Sequence, residues 1–96
     1  MGAPVTFIIY TGTIHGVENV LFKIGENRTL HAAADYGSGI WCFNTRENRF
    51  EVVQKGGYTD WAAVAIQGSG VALTAMGDYN YREVSKSEVT AKIVPQ

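Results

Sequence analysis

The side chains that could do chemistry are one cysteine, two histidines and nine carboxylates in a chain of 96 residues. Their spacing decides their use. Cys42 lies in GIWCF, between Trp41 and Phe43. A thiol acts as a nucleophile only with a base beside it in space, and nothing in the sequence brings His15 or His31 there. Cys42 is therefore expected to be a buried thiol behaving as a small apolar residue. His15, in the polar stretch TIHGVEN, reads as solvated, and His31, within an alternating strand, as half-buried. Two separate histidines do not make a metal site. Asp35 and Asp78 each precede a tyrosine beside a glycine and read as turn residues rather than paired acids. No Ser-His-Asp set, HExxH, P-loop or CxxC stands in the chain. The expected protein is not an enzyme.

Aromatic residues near glycine turns offer a different chemistry. Tyr36, Trp41, Tyr58, Trp61, Tyr79 and Tyr81 lie close to loops, with Asp35, Asn44 and Asn80 as polar neighbours. Sugar rings stack on such faces, so a glycan is one candidate ligand. Trp41 and Trp61 sit inside apolar strands and read as core residues. The tyrosines are more open. DYNYR, Asp78–Arg82, is the best candidate for an exposed aromatic loop, and Tyr36, Asp78, Tyr79, Asn80 and Tyr81 form the candidate ligand set.

The elements that must hold these residues are strands. Apolar alternation and β-branched residues mark Val5–Tyr10, Asn19–Ile24, Arg28–Ala34, Gly39–Phe43, Arg49–Gln54, Trp61–Gln67, Gly70–Met76 and Glu88–Val94. In Asn19–Ile24, Val20, Phe22 and Ile24 share one face. Glycine-rich turns separate the strands at short intervals, which predicts an all-β sandwich or barrel. One helical turn is expected at Ser85–Val89, capped by Ser85 with Glu88 in the capping-box position. Residues 1–96 are expected to form one domain, near the low end of what one core supports. With a net charge of −1 and scattered basic residues, no stripe exists for binding nucleic acid. No apolar run approaches the ~20 residues of a membrane span.

A single cysteine and the lack of a signal-peptide pattern at the N-terminus predict a cytoplasmic protein, or a secreted one if a signal peptide has been removed. MGAPVT fits the pattern for myristoylation at Gly2, and Asn27-Arg28-Thr29 is a glycosylation sequon that matters only on secretion.

The chain also echoes itself. TLHAAADYGSG, Thr29–Gly39, returns as ALTAMGDYNYR, Ala72–Arg82, with Asp35-Tyr36 matched by Asp78-Tyr79. With a one-residue shift, Gly12–Ile24 lies over Gly56–Gly68. Each copy reads as glycine turn, strand, turn, strand, then Asp-Tyr. The order suggests two pseudo-symmetric halves, 5–48 and 49–96, neither able to close a core alone.

TLHAAADYGSGIWCF resembles the Greek-key signature of βγ-crystallin domains, with His31 and Tyr36 in the two aromatic positions. Ser38, between Gly37 and Gly39, stands where that family has glycine. In the second copy Thr74 and Tyr79 take the aromatic positions, and Tyr81 the glycine slot. YTDWAAVAI and SEVTAKIV resemble the strands that close each motif. The resemblance implies a two-sheet Greek-key sandwich of about eight short strands with an internal pseudo-twofold repeat. It also implies a calcium site in each motif, and the matching windows are poor. YTDWAA offers Asp60, and EVSKSE offers Glu83, Ser85, Ser87 and Glu88. Calcium takes six to eight oxygen ligands, so these sites read as degraded, and no calcium cofactor is expected. The implied function is that of a compact structural or stress-associated protein, self-associating at most weakly. A carbohydrate-binding module, or a secreted inhibitor or toxin, is the alternative.

Overall fold

The structure, a computed structural model, describes residues 6–14, 16–25, 30–37, 39–53 and 81–94. These hold six strands in one antiparallel sheet and a single short helix. The strands are β1 (Thr6–Ile14), β2 (Val17–Ile24), β3 (Leu30–Ala32), β4 (Ile40–Asn44), β5 (Arg49–Val53) and β6 (Tyr81–Val84), and the helix α1 is Lys86–Lys92. Their order is β5-β4-β2-β1-β6, with β3 also paired to β2. One edge of β2 therefore serves two strands, β3 at Phe22–Ile24 and β4 at Val20.

Strand position explains the apolar runs. β1 and β2 lie inside the sheet, and Phe7, Ile8 and Ile9, like Val20, Leu21 and Phe22, are buried consecutively. A strand covered on both faces carries apolar residues without a break. One face gathers Ile8, Val20, Phe22, Ile24, Leu30 and Ile40. The other gathers Phe7, Ile9, Leu21, Trp41, Phe50 and Val84, and receives Val89 from α1. The expected common face of Val20, Phe22 and Ile24 is present, and Trp41 is a core residue.

The C-terminal segment departs from expectation. Glu88–Val94 reads as a strand by alternation, yet Glu88 to Lys92 are helical. The Ser85 hydroxyl accepts the Glu88 backbone N–H at 3.1 Å, which captures the chain in a helical start. Val89 is the one buried residue of the helix. Glu88 places Oε2 3.6 Å from Arg82 Nη1 and accepts from Lys92 Nζ at 3.3 Å. The two cations lie 5.7 and 5.8 Å from the centre of the Phe43 ring, which itself packs on Phe50. Beyond α1 the chain is extended again: Ile93 bridges Phe50 in parallel, and the Val94 N–H donates to the Phe50 carbonyl. The connection thus runs from β6 at one end of the sheet to β5 at the other.

Of the strand expected over Arg28–Ala34, Leu30–Ala32 is a strand, which gives way to a 3-10 turn at Ala34–Tyr36, while Arg28 and Thr29 lie outside the described residues. Asp35-Tyr36 does turn the chain. Its carboxylate is taken by Lys23 Nζ at 2.7 Å on β2. The strands expected at Trp61–Gln67 and Gly70–Met76 lie outside the described residues. No helix among the described residues is long and apolar enough to cross a membrane.

Candidate binding cleft

The cleft begins with a break in one strand's alternation. The β1–β2 ladder runs from Tyr10↔Val20 to Thr13↔Glu18, which leaves Thr11 and Gly12 opposite Asn19. This is a β-bulge, a device that re-aims side chains. Asn19 has φ of 57°, in the left-handed region that asparagine tolerates better than most residues. The bulge resets the alternation, so Val17 and Val20, three positions apart, both enter the first core cluster. A Cβ at Gly12 would lie 2.7 Å from Tyr10 Cε1, so a larger residue there would need the Tyr10 ring to shift.

The bulge also separates β2 from β4. The two strands share one pair, Val20↔Cys42. A continued antiparallel ladder would bring Glu18 opposite Asn44. Instead the strands part, and Asn19 Nδ2 reaches across to the Phe43 carbonyl at 3.4 Å. An open cleft of about 500 Å³ lies where they diverge. The β1–β2 hairpin contributes Glu18 and Asn19, and the β4–β5 hairpin contributes Cys42, Asn44, Arg46 and Glu51. This volume suits a small ligand or a short segment of a larger one.

The β4–β5 turn is built by its asparagines. Asn44 Oδ1 accepts the backbone N–H groups of Arg46 and Glu47, each at 3.0 Å, forming an Asx-type turn. Asn48 closes it with φ of 55°. Asn44 Nδ2 donates to Glu51 Oε1 at 3.2 Å, and Arg49 Nε donates to Glu51 Oε2 at 2.6 Å. The Arg49 hydrogen bond first, and that of Asn44 second, hold the Glu51 carboxyl below its ordinary range. The same contact raises the Arg49 guanidinium. Across the ladder from Glu51, Cys42 is pushed up, mainly by burial and then by the negative charge of Glu51. The thiol is half-buried rather than enclosed, because it faces the cleft.

Comparison with family models, curated proteins and solved structures gives no significant match.

The residues predicted from sequence fall elsewhere. Tyr36 stacks at 5.9 Å and 49° on Phe7, and its hydroxyl is 3.0 Å from Thr90 Oγ1. Tyr81 and Arg82 are not in a loop. They open β6, where Tyr81 pairs with Tyr10 against the opposite face of the sheet from Tyr36. The ladder to β1 imposes that extended form. The two tyrosines are therefore not brought together. Asp78, Tyr79, Asn80 and Asp60 lie outside the described residues. Glu83, on β6, pairs with Ile8 of β1 and is exposed. Ser85 caps α1, and Ser87 lies 3.1 Å from the Ser85 hydroxyl. Among the described residues no group of three or more His, Cys, Asp or Glu could hold a metal ion. His31 is exposed rather than half-buried.

The cleft residues carried two signals in the sequence. Val17-Glu18-Asn19-Val20 breaks the period of two, and Asn44-Thr45-Arg46-Glu47-Asn48 places asparagines at both ends of a polar turn. Neither signal says that the two hairpins diverge beside each other.

Proposed function

We propose that the protein is a non-enzymatic, compact structural or stress-associated domain of βγ-crystallin-like kind, with degraded calcium sites. In this reading the six-stranded sheet is part of a two-sheet Greek-key sandwich, built from pseudo-symmetric halves 5–48 and 49–96. Strand exchange supports it: β5 and β6, from the second half, pair with β4 and β1 of the first. The helix at Lys86–Lys92, where the family resemblance calls for a closing strand, is a departure from the pattern.

The observation that carries the non-enzymatic reading is the chemistry of the cleft. A general acid or base works best with a pKa near the operating pH, and a nucleophilic thiol needs its pKa lowered. Here the two shifted groups move away from neutrality, Cys42 upward and Glu51 downward. Hydrogen bonds from Asn44 and Arg49 hold the Glu51 carboxylate within the sheet. In this reading the Cys42 thiol and the Glu51 carboxylate are poorly set for proton transfer.

Thermal unfolding with and without calcium tests the reading. A ligand that binds only the native state raises stability with its concentration over Kd. An unchanged melting temperature at about 5 mM calcium, fivefold above the weakest extracellular calcium modules, is expected. A rise of several degrees would overturn the degraded-site assignment.

A further inference from the structure

We propose that Ser85–Val94, the helix α1 with its cap and the extended residues after it, is a strap that opens as a unit while the sheet stays folded. Its opening uncovers Trp41 and the second apolar face. This goes beyond the structural role above and does not rest on it.

Three observations carry it. The first is how lightly the strap is seated. Of the seven helical residues only Val89 is buried, and Lys86, Ser87, Thr90 and Ala91 are exposed. Past the helix the hold is a single bridge, Ile93 to Phe50, with the Val94 N–H donating to the Phe50 carbonyl at 3.0 Å. The contact between the Thr90 and Tyr36 hydroxyls, also 3.0 Å, is exposed. Segments with few buried apolar contacts and exposed hydrogen bonds open far more readily than the whole domain unfolds. β1, by contrast, is laddered on both sides, to β2 and β6, and buries Phe7, Ile8 and Ile9.

The second is cooperativity. Seven residues do not hold a helix away from the sheet. Once Val89 leaves its cluster, the cap, the helix and the bridge at Phe50 are lost together. The Arg82 and Lys92 contacts to Glu88 do not prevent this, because all three side chains are partly exposed and such pairs hold little.

The third is a defect on the face that the strap covers. Trp41 belongs to the same buried cluster as Val89, yet its Nε1 is buried with no hydrogen-bond partner among the described residues. An unpaired buried donor penalises the closed form by the desolvation of that group. Water that reaches the indole on opening removes the penalty and so favours the open form.

Native-state hydrogen exchange of the intact chain, followed by NMR, tests this in the parent and in Ile40→Val. Ile40 is buried on the first face, opposite to α1. In the parent, the Val89 and Val94 amides and the Trp41 indole N–H should exchange as one group. Relative to intrinsic rates they should exchange at least about tenfold faster than the amides of Phe7 and Ile9. Ile40→Val weakens the sheet equally with the strap open or closed. It should speed exchange at Phe7 and Ile9 about two- to twelvefold, and leave the strap amides and the indole within about twofold of the parent. Equal protection of strap and β1 in the parent, or equal acceleration of both in the variant, would overturn the proposal. So would an indole N–H that exchanges with β1 rather than with the strap, or Val89 and Val94 amides with no protection at all.

Discussion

Replacing Ser85 by alanine isolates what holds α1 on the sheet. The Ser85 hydroxyl accepts the Glu88 N–H at 3.1 Å and occupies the N-cap. Loss of such a cap costs typically about 1 kcal/mol. A long helix can relieve part of that cost by fraying its first turn, but this one has seven residues, and its buried residue Val89 lies one turn from the cap. Fraying would draw Val89 away from Phe7, Trp41 and Phe50, the cluster it completes. A helix this short does not stand alone in water. The cap loss should therefore be felt in full, at about 1–2 kcal/mol. For a domain near 100 residues each 1 kcal/mol lowers Tm by about 4–8 °C.

The assay is urea and thermal unfolding followed by tryptophan fluorescence and circular dichroism. Ser85→Asp should stay within about 0.5 kcal/mol of the parent, because a carboxylate caps as well and favours the helix N-terminus. Ser87→Ala, which removes an exposed hydroxyl contact with Ser85, should also stay within about 0.5 kcal/mol. If Ser85 and Ser87 acted together as calcium ligands, the two alanine variants would behave alike and lose stability only when calcium is present. A Ser85→Ala variant within 0.3 kcal/mol of the parent would refute the capping argument, with about 1 kcal/mol the usual cap effect. So would a Ser85→Asp variant as unstable as Ser85→Ala.

Two further outcomes follow from the cleft. At Asn19, φ of 57° penalises alanine by about 1 kcal/mol relative to glycine. Both variants lose the bond to Phe43, so Asn19→Gly should unfold at higher urea than Asn19→Ala, and the reverse order would show that the bulge is not under strain. At Cys42 the thiol is raised above its ordinary 9.0, by burial and then by Glu51. Above about pH 9 the unfolded chain then releases a proton that the folded chain keeps, so this group makes stability fall as pH rises. Cys42→Ala should remove that part of the slope, and Glu51→Gln should speed alkylation of Cys42 at fixed pH. Identical pH slopes in parent and Cys42→Ala would contradict the assignment.

How much of this was legible before the structure depends on whether a feature is local. β1, β2, β4 and β5 follow from apolar and β-branched runs, and their limits differ from the sequence reading by only a few residues. Trp41 was readable as core because its neighbours are apolar. The Ser85 cap was readable because a cap needs only the residues of one turn. The same segment misled at Glu88–Val94, where Val89, Ala91 and Ile93 alternate as a strand would. The cap takes the Glu88 N–H and one buried valine is enough to anchor the helix, so alternation loses. The candidate site was less legible. By sequence Tyr36 reads as an open tyrosine next to glycine, but its ring and hydroxyl are spent on Phe7 and Thr90. Those partners are distant in sequence, so local pattern could not supply them.

The cleft shows how a one-residue irregularity can have a consequence between elements. In a regular ladder Asn19 would point away from Val20, and Glu18 would continue the rungs to β4. One extra residue in β1, accommodated by Asn19 in the left-handed region, rotates the end of β2 so that Val17 joins the core and Glu18 turns outward. Pairing with β4 then stops after Val20↔Cys42. β3 takes the same edge further along, at Phe22–Ile24. Among the described residues the edge is thus divided among β3, a single rung to β4 and a stretch at Val17–Asn19 with no strand partner. Closing the opening would require Asn19 to return from the left-handed region to extended backbone. Removing the bulge, by deleting one of Thr11 or Gly12, would be expected to extend the β2–β4 ladder toward Glu18 and Asn44 and to close the site.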